Sequence, residues 1–151
     1  MKFLVVVDMQ NDFISGSLGT SEAQKIVPNV VRKIESAPKE SIFVTLDTHP
    51  ADYMETNEGR HLPVPHCIAG TEGHALAPEI AAALAGVEES RFLEKPTFGA
   101  TALPEKLRQA AGSDTVTEIE LVGLCTGICV LSNAILCKAA FPEADVSVDA
   151  A

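Results

Sequence analysis

Apolar residues in this chain fall into runs of two kinds. Lys2 to Val7 and the stretch 41–46 (SIFVTL) are continuous, rich in β-branched residues and apolar on both faces, as expected of strands in a parallel sheet covered on both sides. Between them, Ala23, Ile26, Val27, Val30, Val31 and Ile34 recur at helical spacing within Ser21 to Ala37, which predicts a helix with one buried stripe. Pro28 inside that stripe predicts a kink or a late helix start. The alternation continues with strands at Val87 to Leu93, Thr117 to Val122 and Asp145 to Val148, and helices at Ala75 to Ala85, Ala102 to Ala111 and Gly127 to Ala140. Strand and helix in turn imply a three-layer α/β/α fold around a mainly parallel, Rossmann-like sheet.

The segment from Thr48 to Gly73 does not fit the alternation. It is rich in Pro, Gly and His and too long for an ordinary connection, so it reads as a functional loop. After the fifth strand the chain ends at VDAA (148–151), with no helix to cover that sheet edge. At 151 residues with 46% apolar content, a single domain over 1–151 has enough chain to bury a core without disulfides.

Charge narrows the partners. A formal net charge of −10 disfavours nucleic acid and anionic membrane, which need a basic footprint, and leaves a small molecule as the expected ligand. The amino-terminal apolar run meets Asp8 directly and has no small-residue cleavage site, so it reads as a buried strand. Cys125, Cys129 and Cys137 crowd one strand and helix, with Cys67 elsewhere. Without a secretory signal, reduced thiols in a cytoplasmic protein are the expectation.

Candidate chemistry clusters at strand ends. Asp8, Asp47, Lys95 and Cys129 each follow an apolar run, and open parallel sheets bind ligands outside the carboxyl ends of their strands. A thiol at a helix start gains from unpaired N–H groups and the helix dipole. Lys95 would add positive charge, and Asp8 could take the thiol proton and return it to a leaving amine. Backbone N–H groups of Cys129 and Cys125 could receive an oxyanion. The plainer alternatives are a buried core thiol, a turn-capping Asp and a surface Lys. In the long loop, Asp47 and His49 lie two residues apart, followed by Glu58, His61 and His66. Imidazole and carboxylate together suit zinc, iron or manganese; an Asp–His hydrogen bond in an ordered loop with an exposed Glu58 is the alternative. His74 is expected to begin or cap the next helix.

Four segments resemble the cysteine hydrolases of the isochorismatase-like superfamily and, within it, the nicotinamidase family. They are VVVDMQNDF (5–13), LDTHP (46–50) with PHCIAGTEG (65–73), EKPTFGAT (94–101) and VGLCTGICV (122–130), in the family's order. The resemblance implies the isochorismatase-like hydrolase fold, with Asp8, Lys95 and Cys129 as catalytic residues. It further implies hydrolysis of nicotinamide to nicotinate and ammonia through a thioester, in NAD salvage. A divalent metal, zinc first and iron or manganese as alternatives, would be held by Asp47, His49 and His66, with Glu58 as fourth ligand and His61 as its competitor. Phe13 would line the ring pocket. Leu124 and Cys125 would meet the substrate across a cis peptide that aims N–H groups at the oxyanion. A homo-oligomer is implied as well.

Two departures stand out. Many relatives carry Asp two residues before the nucleophile, where this chain has Gly127, and relatives continue with a loop and helix beyond the last strand. Hydrolysis of another small amide, ureide or carbamoyl compound is the nearest rival function, and a non-catalytic metal-binding or oligomerisation module is the rival of another class.

Overall fold

The computed structural model describes residues 1–150. Among them, five strands form one parallel sheet in the order β3-β2-β1-β4-β5, with β1 at Lys2–Val7, β2 at Ile42–Asp47, β3 at Phe92–Lys95, β4 at Glu118–Gly123 and β5 at Asp145–Val148. The helices are α1 (Asn11–Ile14), α2 (Ser21–Ser36), α3 (Asn57–His61), α4 (Pro78–Ala83), α5 (Leu103–Ala111) and α6 (Leu131–Ala140). No described helix is long and apolar enough to cross a membrane.

The continuous apolar runs are explained by burial on both faces. Along β1, Leu4 and Val6 face one core with Val27, Val30 and Ile34 of α2 and Ile80 of α4. Phe3, Val5 and Val7 face a second core with Leu103 and Leu107 of α5, Cys137 of α6 and Val130 just before it. Period-two side-chain alternation on a doubly covered strand therefore yields the expected three layers.

Helix α2 starts at Ser21, capped by the Thr20 hydroxyl, which accepts from the Ala23 N–H at 3.0 Å. It runs through Pro28, so the late-start expectation does not hold. Pro28 is exposed, which keeps the missing N–H out of the core.

The third strand lies later than its hydrophobic pattern indicates. Val87 is not in the sheet but packs beside the first core, and Glu89–Arg91 form a 3₁₀ turn before Phe92 pairs with Val44. The shift matters for chemistry, because Lys95 becomes the last strand residue, in register with Asp47. The helices expected at Ala75 to Ala85 and Gly127 to Ala140 also differ. The first is confined to Pro78–Ala83, and the second opens with a π-helical turn, Thr126–Val130, that leads into α6.

Gly123 ends β4 opposite Val7 with φ of +118°, a region L side chains avoid. A Cβ there would also collide with the Val7 carbonyl oxygen, so strands β1 and β4 approach at their carboxyl ends only because this side chain is absent. Gly123→Ala is expected to destabilise the protein by more than ~2 kcal/mol, measured by urea unfolding; a change below ~0.5 kcal/mol would show that the sheet opens freely at this point.

Candidate active site

The sheet order reverses direction at β1, with β2 on one side and β4 on the other, which is the switch point where α/β folds open a crevice. Asp8 leaves β1 there with φ of +49°, a left-handed conformation that costs a non-glycine residue energy and clusters at functional sites. The Thr45 hydroxyl on β2 donates to Asp8 Oδ1 at 2.6 Å, which fixes the carboxylate.

Lys95 is only 2% exposed, so the surface-charge alternative fails. Its Nζ lies 2.7 Å from Asp8 Oδ2, 3.4 Å from Asp47 Oδ1 and 3.6 Å from Cys129 Sγ, and it donates to the Thr97 carbonyl at 3.0 Å. Burial alone would lower its pKa, but Asp8, Cys129 and Asp47 raise it further. Lysine thus stays charged inside the protein because four acceptors surround it.

Cys129 is the fourth residue of the π-helical turn and is buried. The turn closes on Cys125, whose carbonyl accepts from Ile128 and Val130 N–H at 3.1 and 3.2 Å, and the Leu124–Cys125 peptide is cis. The surroundings of the Cys129 thiol favour its neutral form. Burial and then the Asp8 carboxylate push its pKa up, against the pull of Lys95. Asp8 is itself raised by burial, with Lys95 opposing, and a carboxylate more basic than usual is a better acceptor for a thiol proton. A carboxylate, an ammonium and a thiol therefore form one buried unit in which the carboxylate could accept the thiol proton. Cys125 is half-buried and packs against the edge of the first core, unlike the fully buried Cys137, whose thiol burial pushes up to about 12.

The long loop returns to the sheet. His49 N–H donates to the Cys67 carbonyl and Ala69 N–H to the His49 carbonyl, at 3.0 and 2.9 Å, so the two halves of the loop pair as a short extension of β2. Asp12 accepts from Cys67 N–H at 2.8 Å, pinning the same segment from the other side. The outcome is a buried cluster of Asp47, His49 and His66 whose ligand atoms lie within 4.8 Å of one another.

Both imidazole Nε2 atoms face Asp47 Oδ2, at 2.9 Å from His49 and 3.3 Å from His66. The other nitrogen of His66 sits 2.7 Å from the Val64 carbonyl, the outer contact that orients a metal-binding histidine. Glu58 Oε1 is 3.6 Å from both Nε2 atoms, whereas His61 is exposed and its ring faces the Asn57 carbonyl at 2.8 Å. Burial favours a neutral Asp47, but hydrogen bonds from His49 and His66, with Lys95, hold its pKa far below the ordinary carboxylate value. Two imidazoles, an ionised carboxylate and a second carboxylate at the rim are a donor set that fits a divalent metal. Phe13 packs on this cluster, its ring centroid 5.5 Å from that of His66. A cleft of about 680 Å³ opens over His49, Glu58, His61 and Leu62 and is walled by Thr97 and Phe98, just beyond Lys95.

Several supporting residues carry no signal in the sequence. Gln10 is fully buried and brackets the main chain of Asp47, accepting from its N–H at 2.8 Å and donating to its carbonyl at 2.8 Å. Tyr53, buried against both imidazole rings, donates to the Leu62 carbonyl at 2.9 Å and lies 3.4 Å from Glu58; burial and then Glu58 push its hydroxyl up to about 12. His74 does not cap a helix: it closes a 3₁₀ turn, with Nε2 2.8 Å from the Thr48 hydroxyl. Glutamines and tyrosines in loops are common, and only the fold places these two against a ligand set.

With that geometry in place, comparison with known proteins is decisive at the family level: the chain matches the Isochorismatase domain over residues 2–142.

The chain belongs to the isochorismatase family.

Among isochorismatase-family proteins, the uncharacterized isochorismatase family protein PncA of Bacillus subtilis is 28% identical, with 89% of this chain and 76% of that protein aligned. The crystal structure of nicotinamidase/pyrazinamidase PncA from Bacillus subtilis superposes with a TM-score of 0.79 at 28% identity, covering 98% of this chain and 84% of that one. The N-carbamoylsarcosine amidase of Thermoplasma acidophilum superposes with a TM-score of 0.74 at 29% identity, covering 98% and 81%. The resemblance to nicotinamidases and the three-layer fold expected from the sequence are both borne out.

Since Gln10 holds both main-chain groups of Asp47, Gln10→Leu is expected to weaken zinc binding by about 10–100-fold, read by competition with a chromophoric chelator. Affinity within twofold of the parent would mean that Asp47 is fixed by the sheet alone.

Proposed function

We propose that this chain, an amidohydrolase of the isochorismatase family, converts nicotinamide to nicotinate and ammonia through a thioester on Cys129. The observation that carries this reading is the joint burial of the Asp8–Lys95–Cys129 unit and the Asp47–His49–His66 cluster, linked by the contacts of Lys95 with Asp8, Cys129 and Asp47. Zinc is the metal the donor set favours, because His and carboxylate ligands with an open position are its catalytic pattern. Asp47, His49, His66 and Glu58 would hold it, and the bound ion would supply a Lewis-acidic anchor for the pyridine nitrogen.

The residues of the chain account for the remaining steps. Phe13, buried beside His66, packs against the ring, and Leu124 and Cys125 border the carboxamide. Cys129 Sγ attacks the carboxamide carbon while its proton passes to Asp8 Oδ2. Backbone N–H groups of Cys125 and Cys129 receive the oxyanion. Asp8 then returns the proton to nitrogen, the C–N bond breaks, and ammonia leaves a thioester. Water, deprotonated by Asp8, attacks the thioester carbon, the C–S bond breaks, and nicotinate departs as the thiol is restored. Lys95, 2.7 Å from Asp8 Oδ2, favours the ionised form of Asp8 from which each proton transfer starts, and screens the charge that builds on sulfur. The unpaired cysteines agree with a cytoplasmic setting for this salvage reaction, and Ile128, Leu131 and Ile135, exposed along one face of the nucleophile helix, support the expected homo-oligomer.

A second reading, hydrolysis of a carbamoyl or ureide compound, is favoured by the similarity to the N-carbamoylsarcosine amidase. It uses the same thiol but gives the metal cluster no substrate nitrogen to hold. Ammonia release from nicotinamide by zinc-loaded protein separates the two. Turnover that falls by at least about 10³-fold in Cys129→Ala, and is lost on chelation and restored by zinc, is the expected result. Turnover of carbamoyl compounds with none of nicotinamide would replace the first reading with the second, and full activity in Cys129→Ala would overturn both.

A further inference from the structure

One fully buried polar side chain close to the reacting groups has no part in the chemistry above. Asn133 lies on α6, one helical turn after Cys129, and is completely shielded from solvent. Its Nδ2 donates to the Cys129 carbonyl at 2.9 Å and is 3.4 Å from the Phe98 carbonyl, while its Oδ1 accepts from the Ala100 N–H at 2.8 Å. Segment 96–100 is the one that follows Lys95. Its Thr97 carbonyl accepts from Lys95 Nζ, and its Phe98, 46% exposed, walls the cleft. A single amide therefore ties the backbone of the nucleophile to the backbone that seats the lysine and shapes the cleft mouth.

We infer that Asn133 is a positioning residue that sets the spacing between Cys129 and Lys95 by clamping their two backbone segments together. The inference rests on the assignment of Cys129 as nucleophile. The π-helical turn supports it. A wide turn is an irregular way to enter a helix, and the Asn133 amide adds a donor to the Cys129 carbonyl within that turn. Across the gap, β3 is an edge strand in the described sheet, and the segment after Lys95 forms no further strand pairing. The bonds from Asn133 to Ala100 and Phe98 supply what the sheet does not. The side chain makes these bonds in a site where displacement of about 1 Å can cost 10²-fold in rate.

An isosteric pair of variants tests it. Threonine and valine have nearly the same shape, but a helical threonine can donate to the carbonyl four residues back, here that of Cys129, and valine cannot. In zinc-loaded protein, Asn133→Val and Asn133→Ala are expected to lower kcat on nicotinamide by about 10–100-fold with KM changed less than about threefold. Asn133→Thr, which can rebuild the bond to Cys129 but not those to Ala100 and Phe98, should recover little of the loss. Alkylation of Cys129 by iodoacetamide, quantified on its peptide by mass spectrometry, should slow in the same order, because a thiol displaced from Lys95 loses stabilisation of its thiolate.

Recovery of kcat and alkylation by Asn133→Thr to within a few-fold of the parent, with Asn133→Val low and both folded by thermal melting, would overturn the clamp, because the bond to Cys129 alone would then suffice. So would variants that all stay within twofold of the parent. If Asn133→Ala and Asn133→Val do not fold, loss of kcat and slowed alkylation in a folded Asn133→Thr support the clamp, and values within a few-fold of the parent sink it. The alkylation arm needs no substrate, so it judges the clamp even if nicotinamide is not turned over. Activity retained in Cys129→Ala would instead remove the nucleophile assignment itself.

Discussion

Everything at this site depends on one ammonium group kept away from water. A buried lysine is tolerated only when acceptors replace its hydration, and Lys95 has them in Asp8, Asp47, the Thr97 carbonyl and the Cys129 sulfur. The constraint is reciprocal. Asp8, fully buried in a left-handed conformation, would carry an uncompensated charge without the lysine. Asp47 shares the same ammonium while it faces His49 and His66. The Asp8–Lys95–Cys129 unit and the Asp47–His49–His66 cluster are therefore not neighbouring features that happen to adjoin. They share Lys95, and a change in one is felt electrostatically in the other.

Sheet topology makes the sharing possible. Parallel strands end on the same side, and the order β3-β2-β1-β4-β5 brings three consecutive strand ends, carrying Lys95, Asp47 and Asp8, next to the turn that holds Cys129. Residues separated by as many as 121 positions thus meet without any long excursion of the chain. Gly123 lets β4 close on β1, Gln10 holds Asp47 by its main chain, and Asn133 connects the far wall. Each of these acts on backbone position, which is how a rigid scaffold fixes the placement of side chains.

Much of this was legible in the sequence, and the reasons are physical. Strands β1, β2 and β4 are apolar on both faces and helix α2 has a clean stripe, so their patterns could mean little else. The acid, lysine and thiol stood out because strand ends are where this class of fold does chemistry. Strand β3 was misplaced because Val87 is apolar for the sake of the helical layer and not of the sheet. The thiol was expected to be stabilised as thiolate, but burial and the adjacent Asp8 decide otherwise, and neither can be read from a helix start. Gln10, Tyr53 and Asn133 act through contacts to segments about 35 or more residues away, or to ring faces, that no local pattern encodes. Glu58 was preferred to His61 on the resemblance alone, and only the turn of α3 gives that preference a physical reason, since it points Glu58 toward the imidazoles and leaves His61 exposed.

The claim that Lys95 and Asp8 are mutually obligatory is tested most directly by a double-mutant cycle. Stability to urea and turnover of nicotinamide would be measured for the parent, Asp8→Asn, Lys95→Met and the double variant, all loaded with zinc. Each single change should destabilise by about 3–5 kcal/mol by stranding the partner's charge. The double variant should be more stable than the sum of the two by at least ~2 kcal/mol, yet no more active than either. Additive losses within ~0.5 kcal/mol, or turnover preserved without the pair, would contradict the account.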